Sequence, residues 1–139
     1  RKTTMHIASF DELLQAARYQ PLPQRLLFVF AGIELPDDCT PQQRADYEAG
    51  AGGALVPYMC VDKSPQELDS FAALAAEADL LGQQWGMVFA AALSGTVGHP
   101  PTSAEAELHL QRMVEGIKQG RIDGYIPFDR NGAPLQLGR

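Results

Sequence analysis

The chain is short of positive charge and of long apolar runs. Its 139 residues carry 11 Lys and Arg against 17 Asp and Glu, a formal net charge of −6. An acidic chain repels phosphate backbones, so we expect no nucleic-acid partner. No apolar run approaches the roughly 20 residues of a membrane-spanning helix, and the start of the chain shows no signal-peptide pattern. These absences predict a cytoplasmic protein that does not bind a membrane.

Cysteine is scarce as well. Cys39 and Cys60 are the only two, and neither belongs to a Cys-x-x-Cys motif. Cys60 lies in an apolar run, where we expect a buried free thiol, although spacing alone leaves a disulfide open. A chain of this length buries a full core without disulfides or metals, so we expect a single domain over residues 5–139. We expect residues 1–4 to be a tag or a disordered N-terminus.

Motifs of catalysis and cofactor binding are missing. His109 lacks a metal-ligand partner at helical spacing, and Ser94 is not part of a nucleophile-elbow motif. The loop over residues 94–99 has neither of the glycine spacings that bind phosphates. We therefore predict no catalytic residue, no cofactor and no metal site, and we favour a protein that is not an enzyme.

Strand-length apolar runs alternate with segments of helical period. Residues 54–61 predict a strand, in which Pro57 indicates an edge position, a bulge or a later start. A capping box formed by Ser64 and Glu67, with Pro65 at the first helical position, then predicts a helix. Further boxes begin at Ser9, Thr40 and Thr102, and further strands are predicted over 25–31, 85–93 and 122–128, with a short hairpin partner over 135–137.

This alternation predicts the α/β class. We expect one compact domain with a four- to five-stranded, mostly parallel or mixed sheet flanked by helices. The run over residues 25–31 is apolar throughout, which is typical of a central strand covered on both faces. The helix predicted after Thr40 is short and polar, so an antiparallel pairing of the first two strands stays open.

Two strand exits form the best candidate site. In open parallel sheets, ligands bind beyond the carboxyl ends of the strands. Asp62 and Lys63 leave the second strand, and Ser94, Thr96 and His99 follow the third. If these strands are neighbours, the five side chains line one ligand pocket. The same residues also fit a purely structural interpretation, as ordinary polar groups at strand ends and in a glycine-rich surface loop.

Six runs of the chain together resemble a small proteobacterial family of unknown function: SFDELLQAA, RLLFVFA, GGALVPYMCVDKSPQELDSF, VFAAALSG, LQRMVEGIKQGRI and YIPFDRNG. The resemblance covers nearly the whole chain from Met5, and members of the family are often labelled "ribonucleotide reductase subunit alpha". The catalytic subunit of that enzyme needs a radical cysteine and a redox pair facing it. With only Cys39 and Cys60, the resemblance implies at most an association with nucleotide metabolism. A more distant similarity to the bacterial SseB-like domains, where a capped helix follows a Val-Pro strand, implies an interaction protein.

The sequence thus supports two hypotheses from different classes. The first is a binding module without catalysis, which pairs with a protein partner or forms a homo-oligomer through a free sheet edge. The second is an enzyme or sensor of a small or nucleotide-related ligand, using the crevice at the ends of the second and third strands. A flat apolar patch would favour the first, and a concave pocket with convergent polar groups the second.

Overall fold

In the part of the chain that the structure describes, four strands form one open sheet with helices on both of its faces. The computed structural model describes residues 9–35, 38–49 and 53–135, so the expected tag at residues 1–4 lies outside the described residues. The helices are α1 (Phe10–Arg18), α2 (Pro41–Glu48), α3 (Phe71–Asp79) and α4 (Ser103–Lys118). The strands are β1 (Gln24–Glu34), β2 (Ala54–Lys63), β3 (Met87–Ser94) and β4 (Ile126–Phe128).

The order of the strands is β2-β1-β3-β4, and every pair of neighbours is antiparallel. The α/β class is confirmed, whereas the prediction of a mostly parallel or mixed sheet is wrong. β2 and β3 do run in the same direction, but the connection through α3 crosses β1. Each of them therefore pairs with β1 instead of with the other, and β1 is the central strand that its apolar run predicted.

The larger of two cores lies between the sheet and the helices α1 and α3. The ring of Phe10 is at the centre of this core. Its centroid lies 5.4 Å from the ring centroid of Phe28, 5.0 Å from that of Phe71 and 5.3 Å from that of Phe128. Aromatic pairs at such distances contribute about 0.5–1.5 kcal/mol each beyond the burial of their area. Phe10 thus joins α1 to β1, α3 and β4.

The second core lies between the other face of the sheet and α4. The buried residues of α4 recur at helical spacing along one side of the helix, which is the amphipathic pattern of a surface helix. They are Ala106, Leu110, Met113 and Ile117. Against them pack the alternate residues of the two middle strands, among them Leu27, Val29 and Phe89.

Three of the four predicted helix starts are confirmed by their caps. Ser9, Thr40 and Thr102 each accept a hydrogen bond from the backbone N–H three residues later. At Thr40 and Thr102 the reciprocal bond from the glutamine or glutamate side chain completes the capping box. These starts depend on local chemistry, and the local sequence therefore predicts them.

The fourth helix start, at Pro65, was predicted wrongly. Half of the box forms, since the Ser64 N–H donates to Glu67 Oε1 at 2.8 Å. The chain then makes a turn instead of a helix, and α3 begins only after Ser70, which is its N-cap. The capping signal is real, but it stabilises a turn here.

Contacts with α1 explain the delayed start. The Arg18 guanidinium donates to the carbonyls of Pro65 (3.2 Å) and Leu68 (2.6 Å), and the Asp11 carboxylate accepts from the N–H of Phe71 (3.1 Å). These bonds satisfy backbone groups that a helix would otherwise pair within itself. A tertiary contact thus decides where α3 begins.

β4 is shorter than the predicted strand over residues 122–128. The N–H of Tyr125 donates to the carbonyl of Ile122 (3.1 Å), which closes a turn, and only Ile126–Phe128 pair with β3. Of the expected hairpin partner, Leu135 donates its N–H to the Pro127 carbonyl (2.9 Å), while residues 136 and 137 lie outside the described residues. This contact covers the outer side of β4.

Both cysteines are free thiols. Cys60 is exposed on β2, so the expectation of a buried thiol is wrong, because β2 is an edge strand and not a covered one. Among the described residues, no helix combines the length and the apolar character that crossing a bilayer requires.

Candidate functional site

The two strand exits of the predicted pocket are separated by the start of β1. The carboxyl ends of β2 and β3 lie at the same end of the sheet, but β1 lies between them. Two β1 side chains fill the gap: Gln24 donates to Ser94 Oγ (2.8 Å), and the Arg25 guanidinium forms an ion pair with the Asp62 carboxylate. The assumption that the two strands are neighbours was therefore wrong.

Asp62 and Lys63 point to opposite faces of the sheet, as successive residues of a strand must. Asp62 lies opposite Leu27 in the register, on the face covered by α4. Lys63 lies on the other face, where its Nζ is 2.9 Å from the carboxylate of Glu77 in α3. Both side chains are engaged in ion pairs, so the structure places neither of them in a common pocket with His99.

The other three predicted residues do come together. Ser94, Thr96 and His99 line a groove of about 650 Å³ between the loop over residues 95–102 and the start of α4. We call this cavity the loop groove. Its opposite wall comes from α4 and includes Glu105, Leu108 and His109.

The loop groove has a tightly wound wall. Thr96 and His99 exchange backbone hydrogen bonds (3.0 and 2.9 Å) across a turn in which Gly98 has φ +74°. A positive φ at the third turn residue, with an ordinary φ at Val97, is the type II pattern. A Cβ on Gly95 would lie 2.2 Å from the His99 carbonyl oxygen, so only glycine fits there.

His99 is held in one orientation by this turn. Its Nδ1 lies 2.9 Å from the Val97 carbonyl oxygen. A carbonyl only accepts, so Nδ1 must carry the proton, and in the neutral ring the lone pair is on Nε2. His99 can therefore accept a hydrogen bond from a ligand through Nε2.

Sequence reasoning missed Glu105 and His109 as members of this groove. Their spacing of four residues on a capped helix places them on one side of it, a signal that could have paired them. The Glu105 carboxylate is already used, because it accepts from the Thr102 N–H at 2.9 Å. Among the described residues, no three His, Cys, Asp or Glu side chains are grouped to hold a metal ion.

The two edges of the sheet differ in length and in whether other residues pair with them. β4 spans only Ile126–Phe128, and the segment around Pro134 and Leu135 bonds to its outer side. β2 spans Ala54–Lys63, and no described residue pairs with its outer side. Every second residue of β2 thus directs its N–H and C=O groups away from β1.

The free edge of β2 is divided by a bulge. Phe30 pairs with Met59 and Ala31 pairs with Pro57, so Tyr58 is the extra residue. The proline and the bulge both interrupt pairing, and they confine a regular outer edge to Met59–Lys63. Of the three alternatives predicted for Pro57, the edge position and the bulge are confirmed, and a later strand start is wrong because β2 begins at Ala54.

The two sides of this edge differ in chemistry. On the face of α3, a groove of about 220 Å³ is lined by Met59, Val61, Leu74, Ala78 and Leu81, among others. We call it the edge groove. Leu81 keeps 66% of its surface exposed, so an apolar floor is open to solvent beside the strand.

On the face of α4, the edge is acidic around Cys60. Although Cys60 is exposed, partial desolvation by the neighbouring residues is the main cause that raises the pKa of its thiol, and the carboxylates of Asp62 and Glu107 raise it further. A raised pKa keeps the thiol protonated at neutral pH, which argues against a reactive cysteine. Because Arg25 neutralises Asp62, Glu107 is the carboxylate that has no ion-pair partner among the described residues.

Beyond the bulge, Tyr58 covers the end of β1. A Cβ on Gly32 would lie 2.7 Å from the Tyr58 ring, so the glycine lets the ring lie flat on the strand. The Tyr58 hydroxyl donates to the Glu34 carboxylate at 2.6 Å, and this bond is the main cause that raises the pKa of Tyr58.

We expect Tyr58 to ionise above pH 10, the ordinary pKa of tyrosine. Its folded pKa is higher than its unfolded pKa, so the stability from this contact is complete below pH 10 and is lost as the pH rises through the folded value. In a titration followed by phenolate absorbance, Glu34→Gln should move one tyrosine transition to lower pH. Superimposable curves for the two proteins would show that the contact is absent.

No model of a known protein family, no curated protein and no solved structure matches this chain. The geometry of the described residues is therefore the basis for assigning a function.

Proposed function

We propose that this protein is a binding module that pairs, through the outer edge of β2, with an extended strand from a partner protein or from a second copy of the chain. The proposal rests on one observation, which is that the two edges of the sheet differ in length and in coverage. β4 is short and covered, whereas β2 leaves its outer N–H and C=O groups without a strand partner among the described residues. Such an edge is a template for strand addition.

The polar groups elsewhere support this choice over catalysis. Four of the side chains that could form an active site are committed to structural bonds: Asp62 to Arg25, Lys63 to Glu77, Ser94 to Gln24 and Glu105 to Thr102. The described residues thus offer few free groups for chemistry and one regular free edge, Met59–Lys63, for binding. We place this activity in the cytoplasm, where the exposed Cys60 thiol stays reduced.

The experiment is a selection of random peptides on the folded protein, followed by amide hydrogen exchange with and without each selected peptide. Strand addition should slow exchange in β2, at alternate residues of Met59–Lys63, because only alternate amides face outward. β4, whose outer side is covered, is the internal reference and should not change. Binding peptides that leave β2 exchange unaltered would refute the edge as the site.

A second candidate function is a small-ligand site in the loop groove. Its volume of about 650 Å³ and the convergence of Thr96, His99 and His109 on it favour this reading. Nucleotides and common metabolites can be tested in the same exchange experiment. Slower exchange over residues 94–102, with β2 unchanged, would favour this candidate over strand binding.

A further inference from the structure

We infer that the strand received by β2 is a segment of a partner protein in which apolar and basic residues alternate. This inference rests on the proposed function and names the partner's chemistry. Side chains of an added strand alternate between the two faces of the sheet, next to the β2 side chains on the same face. Each face of the sheet beside β2 therefore favours its own type of side chain at alternate positions of the added strand.

On the sheet face covered by α3, the surface beside β2 favours apolar residues in the added strand. Beside Met59 and Val61, the edge groove continues over α3 to Leu81. Apolar side chains of an added strand on this face would cover that floor and remove it from water, which favours binding. The one ion pair at this groove, Lys63 with Glu77, lies at its end and is already complete.

On the sheet face covered by α4, the surface beside β2 favours basic residues in the added strand. Added side chains on this face would lie beside Cys60 and Asp62, and Glu107 lies on α4 one helical turn after Ser103, the residue that Arg25 contacts. The cation at this place is Arg25, and its guanidinium is bonded to Asp62 and to Ser103 Oγ (3.2 Å). The charge of Glu107 is thus left for a lysine or arginine of the incoming strand.

The same charges disfavour a second copy of this chain at the edge. In an antiparallel pairing of two β2 strands, the two-fold axis brings like faces together, so the acidic faces of both copies would meet. Each copy also carries a formal net charge of −6. Like charges opposite each other destabilise a strand pair, so a basic segment fits better than a copy.

The test uses two short acetylated peptides, one alternating valine with lysine and the other alternating valine with glutamate. The lysine peptide should bind the wild-type protein more tightly than the glutamate peptide does. At low salt, Glu107→Lys should weaken the binding of the lysine peptide about fivefold and tighten the binding of the glutamate peptide. Glu115→Lys, which makes the same charge change at an exposed position further along α4, is the control and should change neither affinity as much.

A second pair of variants tests the apolar face. Leu81→Ala should weaken both peptides about fivefold, because it removes part of the floor that the added strand covers. Leu80→Ala is the matched control: Leu80 is 86% exposed and does not line the edge groove, so its loss should leave both affinities unchanged.

The outcomes separate this inference from the proposed function. If both peptides slow β2 exchange and bind equally well to wild type and Glu107→Lys, β2 is a binding edge but the basic pattern is wrong. If light scattering shows a dimer that protects β2 and excludes both peptides, a second copy is the occupant, which also overturns the inference. If no selected or designed strand protects β2, the proposed function itself fails.

Discussion

Replacing Phe10 with alanine is expected to lower the free energy of unfolding by about 3–5 kcal/mol. The Phe10 side chain is only 1% exposed, and its ring contacts those of Phe28, Phe71 and Phe128. Its removal leaves a cavity where α1, α3, β1 and β4 meet. Since domains of this kind are stable by about 5–15 kcal/mol, a large part of the total would be lost.

Denaturant unfolding measures this loss, and Tyr19→Ala is the matched control. Tyr19 is an aromatic residue at the end of the same helix, but it is 82% exposed, so its truncation should stay within about 0.5 kcal/mol of wild type. Equal stabilities of the Phe10 and Tyr19 variants would show that α1 does not pack on the sheet as described.

Replacing Gly95 with alanine is expected to destabilise the protein by about 1–3 kcal/mol, the usual range for overpacking. The new Cβ would lie 2.2 Å from the His99 carbonyl oxygen and 2.9 Å from Pro101 Cδ. The backbone of the loop must open to relieve the first contact. The paired hydrogen bonds between Thr96 and His99 would be lost, and the loop groove would change shape.

Thermal unfolding of Gly95→Ala beside Gly124→Ala tests this reading of the loop. A Cβ on Gly124 would meet no atom within 4 Å, and its φ is not positive, so that variant should unfold at the wild-type temperature or slightly above it. If both variants unfold at the same temperature, the close approach at Gly95 does not exist.

Features that depend on neighbouring residues could be predicted from the sequence. The caps at Ser9, Thr40 and Thr102 satisfy backbone groups within one turn, so their chemistry is visible in a few letters. The same holds for Pro57, which lacks an N–H and so indicated an edge or a bulge before any pairing was known.

Strand direction and strand order could not be predicted in this way. The pattern of a strand, a helix and a strand shows that the chain returns to the sheet, but not on which side of β1 it returns. The error carried over to the site: Asp62 and Ser94 were expected to face each other, whereas Arg25 and Gln24 stand between them. Only residues within one loop, such as Thr96 and His99, kept the expected proximity.

The start of α3 shows a competition that a local pattern cannot reveal. The capping signal at Ser64 predicted a helix, but Arg18, from a helix far away in the sequence, bonds the carbonyls of Pro65 and Leu68. A tertiary contact of this kind overrides a local preference worth about 1 kcal/mol.

Residue-resolved amide exchange on the peptide-bound protein shows whether the outer edge of β2 receives a strand. We predict slower exchange at alternate residues of Met59–Lys63, no change in β4, and loss of binding when the peptide is N-methylated on one set of alternate residues but not on the other. Unchanged exchange throughout β2, or equal binding of both methylated peptides, would mean that no strand pairs with this edge.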